Sequence, residues 1–161
     1  MRKGLLVLIA LLAICITISA ASAADWSFNF GSSSSSDGGD IKIDNDKLSL
    51  QGINFKIPEG YKENESARIL AKDTNQFGEN GKVSATEFYN NNSTIVIKTF
   101  FATDGKYENL NADNATEKTI GGQKGFVTEK DGEVLFDYLI DGKICEIVAP
   151  NEDTIGSLLK V

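Results

Sequence analysis

The 161-residue chain contains no histidine. That absence removes the base of Ser-His-Asp and Cys-His catalysis and the ligand that most zinc sites depend on. Cysteine is nearly as scarce. Cys15 lies in an apolar N-terminal run, and Cys145 is the only cysteine beyond it. Once that run is removed no intramolecular disulfide can form, and a lone exported thiol raises two alternatives, an intermolecular bridge or a reactive group. A nucleophilic thiolate needs a neighbouring base or cation. Here the adjacent Glu146 works against ionisation, and Ile144 and Ile147 flank the thiol, so Cys145 reads as a small buried apolar residue. Arginine is also sparse: beyond Arg2 only Arg68 is available, too little for a guanidinium clamp on phosphates.

What the sequence has first is an export segment. Arg2 and Lys3 precede an apolar run from Gly4, and Ala21-Ser22-Ala23 places small side chains where a signal peptidase cuts, before Ala24. Cys15, preceded by Ile14, lacks the context of a lipid-attachment site. The run Gly4–Ala24 carries no charge and as a helix would span roughly 31 Å, enough for a bilayer. Residues 1–23 are therefore expected to be a signal peptide or an uncleaved membrane anchor. Either way the remainder is expected to be extracellular or on the outer face of the cytoplasmic membrane.

Beyond residue 23, fourteen basic residues face twenty-three acidic ones, a net charge of −9. This argues against nucleic acid or anionic lipid as a partner, since both require basic patches. Contact with a membrane is expected only through residues 1–24, and only if they are retained. Residues 24–40 form an aromatic tail, with Trp26, Phe28 and Phe30 alternating with polar residues, followed by a Ser/Gly-rich linker. The tail suits either a membrane interface or a short docked strand.

Residues 41–161 are long enough for one core and too short for two. A strand carrying Leu48, Leu50, Ile53, Phe55 and Ile57 is expected, with a bulge where parity changes at Gln51-Gly52 and an end at Pro58 and Gly60. Val83–Tyr89 and Thr94–Phe101 predict a hairpin across Asn90–Ser93. Gly121-Gly122, Asp131-Gly132 and Asp141-Gly142 predict a C-terminal meander of tight hairpins. Asn151 is placed to cap a final helix whose stripe is Ile155, Leu158 and Leu159. The expected fold class is α+β: a single antiparallel β-sheet of about six to seven strands with the C-terminal helix packed on it.

Chemistry-bearing motifs are few. Asp37, Asp40, Asp44 and Asp46 lie close together, but Leu48 occupies the next alternate position and no glycine follows, so they read as solvated charge rather than a calcium loop. Four triplets match the N-glycosylation pattern, beginning at Asn64, Asn91, Asn92 and Asn114. A carboxylate-dependent hydrolase would need two acidic side chains facing one cleft, at least one with its pKa raised by burial. No catalytic, metal-ligating or cofactor-binding residue is expected.

The stretches INFKIPEGYKENES, FFATDGKYENL and TIGGQKGFVTEKDGEVLFDYLIDGKICEIVAP, on an acidic background rich in lysine and asparagine, resemble small uncharacterised exported proteins of methanogenic archaea, over residues 48–161. More distantly, the INFKIPEGY start and the closing paired strands plus helix are similar to PsbP/Mog1-like domains. The resemblance implies location and a fold, with no catalytic residue carried over. The expected function is a non-catalytic extracytoplasmic binding or cell-envelope module whose partner is an unknown protein or envelope ligand. The alternatives are a membrane-anchored sensor domain and the hydrolase.

Overall fold

The computed structural model describes residues 41–161 apart from Glu79 and Asp113. The export segment with Cys15, the aromatic tail and the linker with Asp37 and Asp40 lie outside the described residues.

The first apolar stretch does not form one bulged strand. β1 (Ile41–Asp44), β2 (Lys47–Leu50) and β3 (Ile53–Lys56) make a three-stranded antiparallel sheet of their own. Gln51 and Gly52 both have positive φ, 53° and 78°, and form a two-residue turn across which Leu50 faces Ile53. The parity change at these residues is thus the mark of a hairpin, not of a bulge. Once the chain doubles back, Leu48, Leu50, Ile53 and Phe55 gather on one buried face. That face covers a second sheet instead of extending it, so the expectation of a single sheet is corrected to two.

Among the described residues the larger sheet contains eight strands. These are β4 (Lys62–Glu63), β5 (Ile69–Thr74), β6 (Gly81–Tyr89), β7 (Thr94–Ala102), β8 (Thr116–Ile120), β9 (Gln123–Lys130), β10 (Glu133–Ile140) and β11 (Lys143–Ala149). Their order is β4-β6-β7-β11-β10-β9-β8, all neighbours antiparallel, with β5 also paired to β6. A 3₁₀ turn at Glu65–Ala67 separates β4 from β5, which pair with opposite ends of β6. The expected hairpin appears as β6–β7, and the expected meander as β8 to β11. At Asp131-Gly132 and Asp141-Gly142 both turn residues have positive φ, the geometry that matches the strands' right-handed twist.

Helix α1 (Glu152–Leu158) starts as its sequence specifies. Asn151 Oδ1 accepts from the Thr154 N–H at 2.9 Å, and Glu152 and Asp153 sit in the first turn. Ile155 and Leu158 are buried, and α1 packs against β3, β8 and β11. The core lies between the small sheet with α1 and one face of the large sheet, with Phe88, Ile95, Ile97, Phe136, Tyr138, Cys145 and Ile147 contributed by the latter. Among the described residues no helix is long and apolar enough to cross a membrane.

Candidate functional site

Register decides which side chains meet, because opposed residues in an antiparallel pair point to the same face. Cys145 is opposed to Thr99 on β7 and to Tyr138 on β10, on the core face. The thiol is fully buried and 3.9 Å from Thr99 Oγ1. Burial pushes its pKa up to about 11, although hydrogen bonds from Tyr138 and Thr99 and the charge of Lys143 pull the other way. The Tyr138 hydroxyl is likewise raised, chiefly by burial. Such a thiol stays protonated at neutral pH and is a packing group.

The opposite face of the same strands holds a different set. Lys98 on β7 is opposed to Glu146 on β11, and Glu146 to Asp137 on β10, so three ionisable groups lie in one level row. Lys98 Nζ donates to Glu146 Oε1 at 2.6 Å, with side-chain exposures of 5% and 0%. Removing one partner of a pair so buried costs about 3–5 kcal/mol, because the other charge is left without compensation. Gln76, in the connection after β5, donates Nε2 to Glu146 Oε2 at 3.3 Å. Its neighbour Phe77 packs edge-on to Phe100, ring centroids 4.8 Å apart, and contacts Tyr107.

Asp137 is half-buried as a residue, yet its Oδ1 is out of reach of solvent and has no hydrogen-bond partner. Burial raises its pKa well above the ordinary carboxylate range. The Glu146 carboxylate opposite adds to the shift, and Lys98 opposes it. Asp137, its carboxyl biased toward the protonated form, therefore faces the Lys98–Glu146 salt bridge. Nothing local in the sequence marks this row, since Asp137 is an isolated acid in an apolar strand and Glu146 merely the residue after the cysteine. Only the pairing of β7, β11 and β10 brings the three together.

A second place is open to solvent. A cleft of about 480 Å³ lies where the β9–β10 turn approaches the start of α1, lined by Glu129, Lys130, Asp131, Glu133, Asn151 and Glu152. Lys130 Nζ is 3.8 Å from Asp131 Oδ2, and the remaining carboxylates give the cleft an acidic rim. Among the described residues no group of three or more His, Cys, Asp or Glu side chains is arranged to hold a metal ion. Asp44 ends β1 and Asp46 lies in the two-residue β1–β2 turn.

The four sequon asparagines fall in two classes. Asn91 and Asn92 are exposed at the tip of the β6–β7 hairpin, and Asn114 is exposed with a φ of 63° in the loop before β8. Asn64 is half-buried: its Nδ2 donates to Glu87 Oε1 at 2.9 Å, and its Oδ1 accepts from Ser66 Oγ at 2.6 Å. Ser93, the hydroxyl residue of the Asn91 triplet, shares a 2.6 Å hydrogen bond with the Tyr61 hydroxyl.

No protein-family description, no characterised protein and no solved structure matches this chain.

Proposed function

We propose that the protein is a non-catalytic extracytoplasmic module, carried outside the cell by residues 1–23 and acting through its surface on a protein or envelope ligand. The observation that carries this reading is where the reactive groups lie. Cys145 and Tyr138 are sealed in the core and Glu146 has no solvent-exposed surface, whereas the ionisable side chains lining the cleft by α1 are surface carboxylates and Lys130. Such a surface suits recognition rather than bond-making. The acidic balance beyond residue 23 supports a partner other than nucleic acid or anionic lipid.

One observation favours a second reading. Asp137 and Glu146 are opposed carboxylates, one with its pKa raised by burial, which meets half of what a carboxylate-dependent hydrolase needs. The other half is a cleft admitting substrate to both groups, and a fully buried Glu146 speaks against it.

Fractionation of host cells into cytosol, membrane and medium, with the intact mass of the native chain from each, tests the leading reading. A chain starting at Ala24 in the medium supports a secreted module, and a chain retaining residues 1–24 in the membrane supports the anchored form, including a tethered sensor. A full-length chain confined to the cytosol overturns the location on which the reading rests.

A further inference from the structure

The row Lys98–Glu146–Asp137 brings an amine and two carboxyl groups together on three adjoining strands, with the Lys98 and Glu146 side chains and Asp137 Oδ1 shielded from water. We propose that Lys98 and Glu146 condense to form an intramolecular amide that staples β7 to β11, with Asp137 as the acid that moves the protons. This inference is independent of where the protein resides in the cell.

Three features support it. The nucleophile and its target are pre-positioned: Nζ lies 2.6 Å from Oε1, and backbone pairing fixes Lys98 opposite Glu146. Holding reacting groups at contact replaces an encounter by an intramolecular step. The surroundings favour the product, since keeping an ammonium and a carboxylate out of water is costly, whereas an amide is neutral. Finally, a third carboxyl group stands beside the pair. Asp137 lies opposite Glu146 on the far side from Lys98, with a buried Oδ1 that makes no hydrogen bond.

The step balances with these groups alone. The ammonium proton passes along the Lys98–Glu146 hydrogen bond to Oε1, leaving a neutral amine and a neutral acid. Nζ adds to Glu146 Cδ, and the negative charge collects on Oε2, which Gln76 Nε2 faces at 3.3 Å. Asp137 gives its proton to Oε1 and receives one from the nitrogen. The Cδ–Oε1 bond breaks, water leaves, and a C–N bond remains. Asp137 ends protonated, as it began, and no oxidant, metal or activated donor is needed.

The test is the intact mass of the purified, denatured full chain, followed by proteolysis and fragment sequencing. The expected mass is lower than that of the linear chain by one water, with its N-terminus defined in the same spectrum. The digest should contain a branched peptide joining the segment around Lys98 to that around Glu146. Linear mass with both segments in separate peptides overturns the proposal. So does a water loss that maps to Asp131 or Asp141, whose Asp-Gly bonds can close to a cyclic imide, or a branch ending at Asp137. Lys98→Arg keeps the charge and should restore the linear mass. Glu146→Gln should release ammonia instead of water and reach the same final mass as the wild type; persistence at its linear mass counts against the mechanism. Asp137→Asn, checked for cooperative unfolding, should remain linear, and condensation at the wild-type rate would remove Asp137 from the mechanism. If a variant fails to fold, the wild-type mass alone decides the matter.

Discussion

Gln51 donates through Nε2 to Ser84 Oγ at 2.7 Å, joining the turn of the small sheet to the middle of β6 in the large one. The same oxygen accepts the Ala71 N–H at 2.9 Å, where the β5 register shifts and Ala71 adopts a φ of 46°. One hydroxyl therefore satisfies a buried side-chain amide and a backbone group on an irregular edge strand. Ser84→Ala should lower stability by about 1–3 kcal/mol, the cost of leaving a buried donor unmet. A urea midpoint unchanged by the substitution would show that neither donor depends on Ser84.

The two perturbed carboxylates predict opposite limbs of a pH–stability curve. Asp137 has a folded pKa above its unfolded value, with burial as the leading cause. The folded state therefore holds a proton that the unfolded chain has released, and stability falls as pH rises from the ordinary Asp range toward the folded value. The slope inside that window is about 1.4 kcal/mol per pH unit for one group. Asp137→Asn should flatten this limb, as read from urea midpoints between pH 4 and pH 8.

Glu63 behaves in the reverse sense. Burial alone would raise its pKa, but hydrogen bonds from Arg68 and Thr86, with the Arg68 charge, outweigh it and leave the pKa lowered. Its contribution is present above the unfolded value and is lost as pH falls through the folded one. Glu63→Gln should therefore weaken the protein at neutral pH and have little effect at the acid end. Equal destabilisation at both ends would sink the assignment.

Gly125 on β9 has no room for a side chain. A Cβ there would lie 2.2 Å from the Asp137 carbonyl oxygen and 2.8 Å from the Phe136 ring, itself stacked on Tyr138 at 5.4 Å. Gly125→Ala should cost about 3 kcal/mol or more, the upper range for overpacking, because the nearest atom is backbone and cannot swing aside. Thermal unfolding measures this directly.

Cys145 should resist alkylation by iodoacetamide in the folded protein and react once urea unfolds it, since its thiol is buried and its pKa is pushed up to about 11. Labelling of Cys145 in the native state at the unfolded rate would contradict the packing role.

In a host that glycosylates exported proteins, glycopeptides are expected at Asn91, Asn92 or Asn114 and none at Asn64. The Asn64 amide nitrogen is already committed to Glu87, whose side chain is itself largely buried. A glycan mapped to Asn64 would show that attachment precedes folding of this region.

How much of this was legible in the sequence follows from the range of each interaction. The hairpins at Asp131-Gly132 and Asp141-Gly142 and the Asn151 cap are written in adjacent residues, and the structure contains them. The turn at Gln51-Gly52 left a local trace, the parity change, but a bulge leaves the same trace. Division into two sheets depends on what Leu48 and Phe55 pack against, which no local pattern encodes. The stretch Ser66–Lys72 is part 3₁₀ turn and part edge strand, too short for periodicity to separate the two. The Lys98–Glu146–Asp137 row needs the register of three strands, with Lys98 and Glu146 48 residues apart along the chain.

The placement of β11 bears on how the protein is made. Its partners are β7, synthesised well before it, and β10, synthesised immediately before it. A nascent or translocating chain that stops short of residue 143 holds two separate half-sheets and no seam between them. The last strand to emerge is the one that joins them, and α1 follows it to close the core. The large sheet is therefore complete only when residues 143–149 are in place.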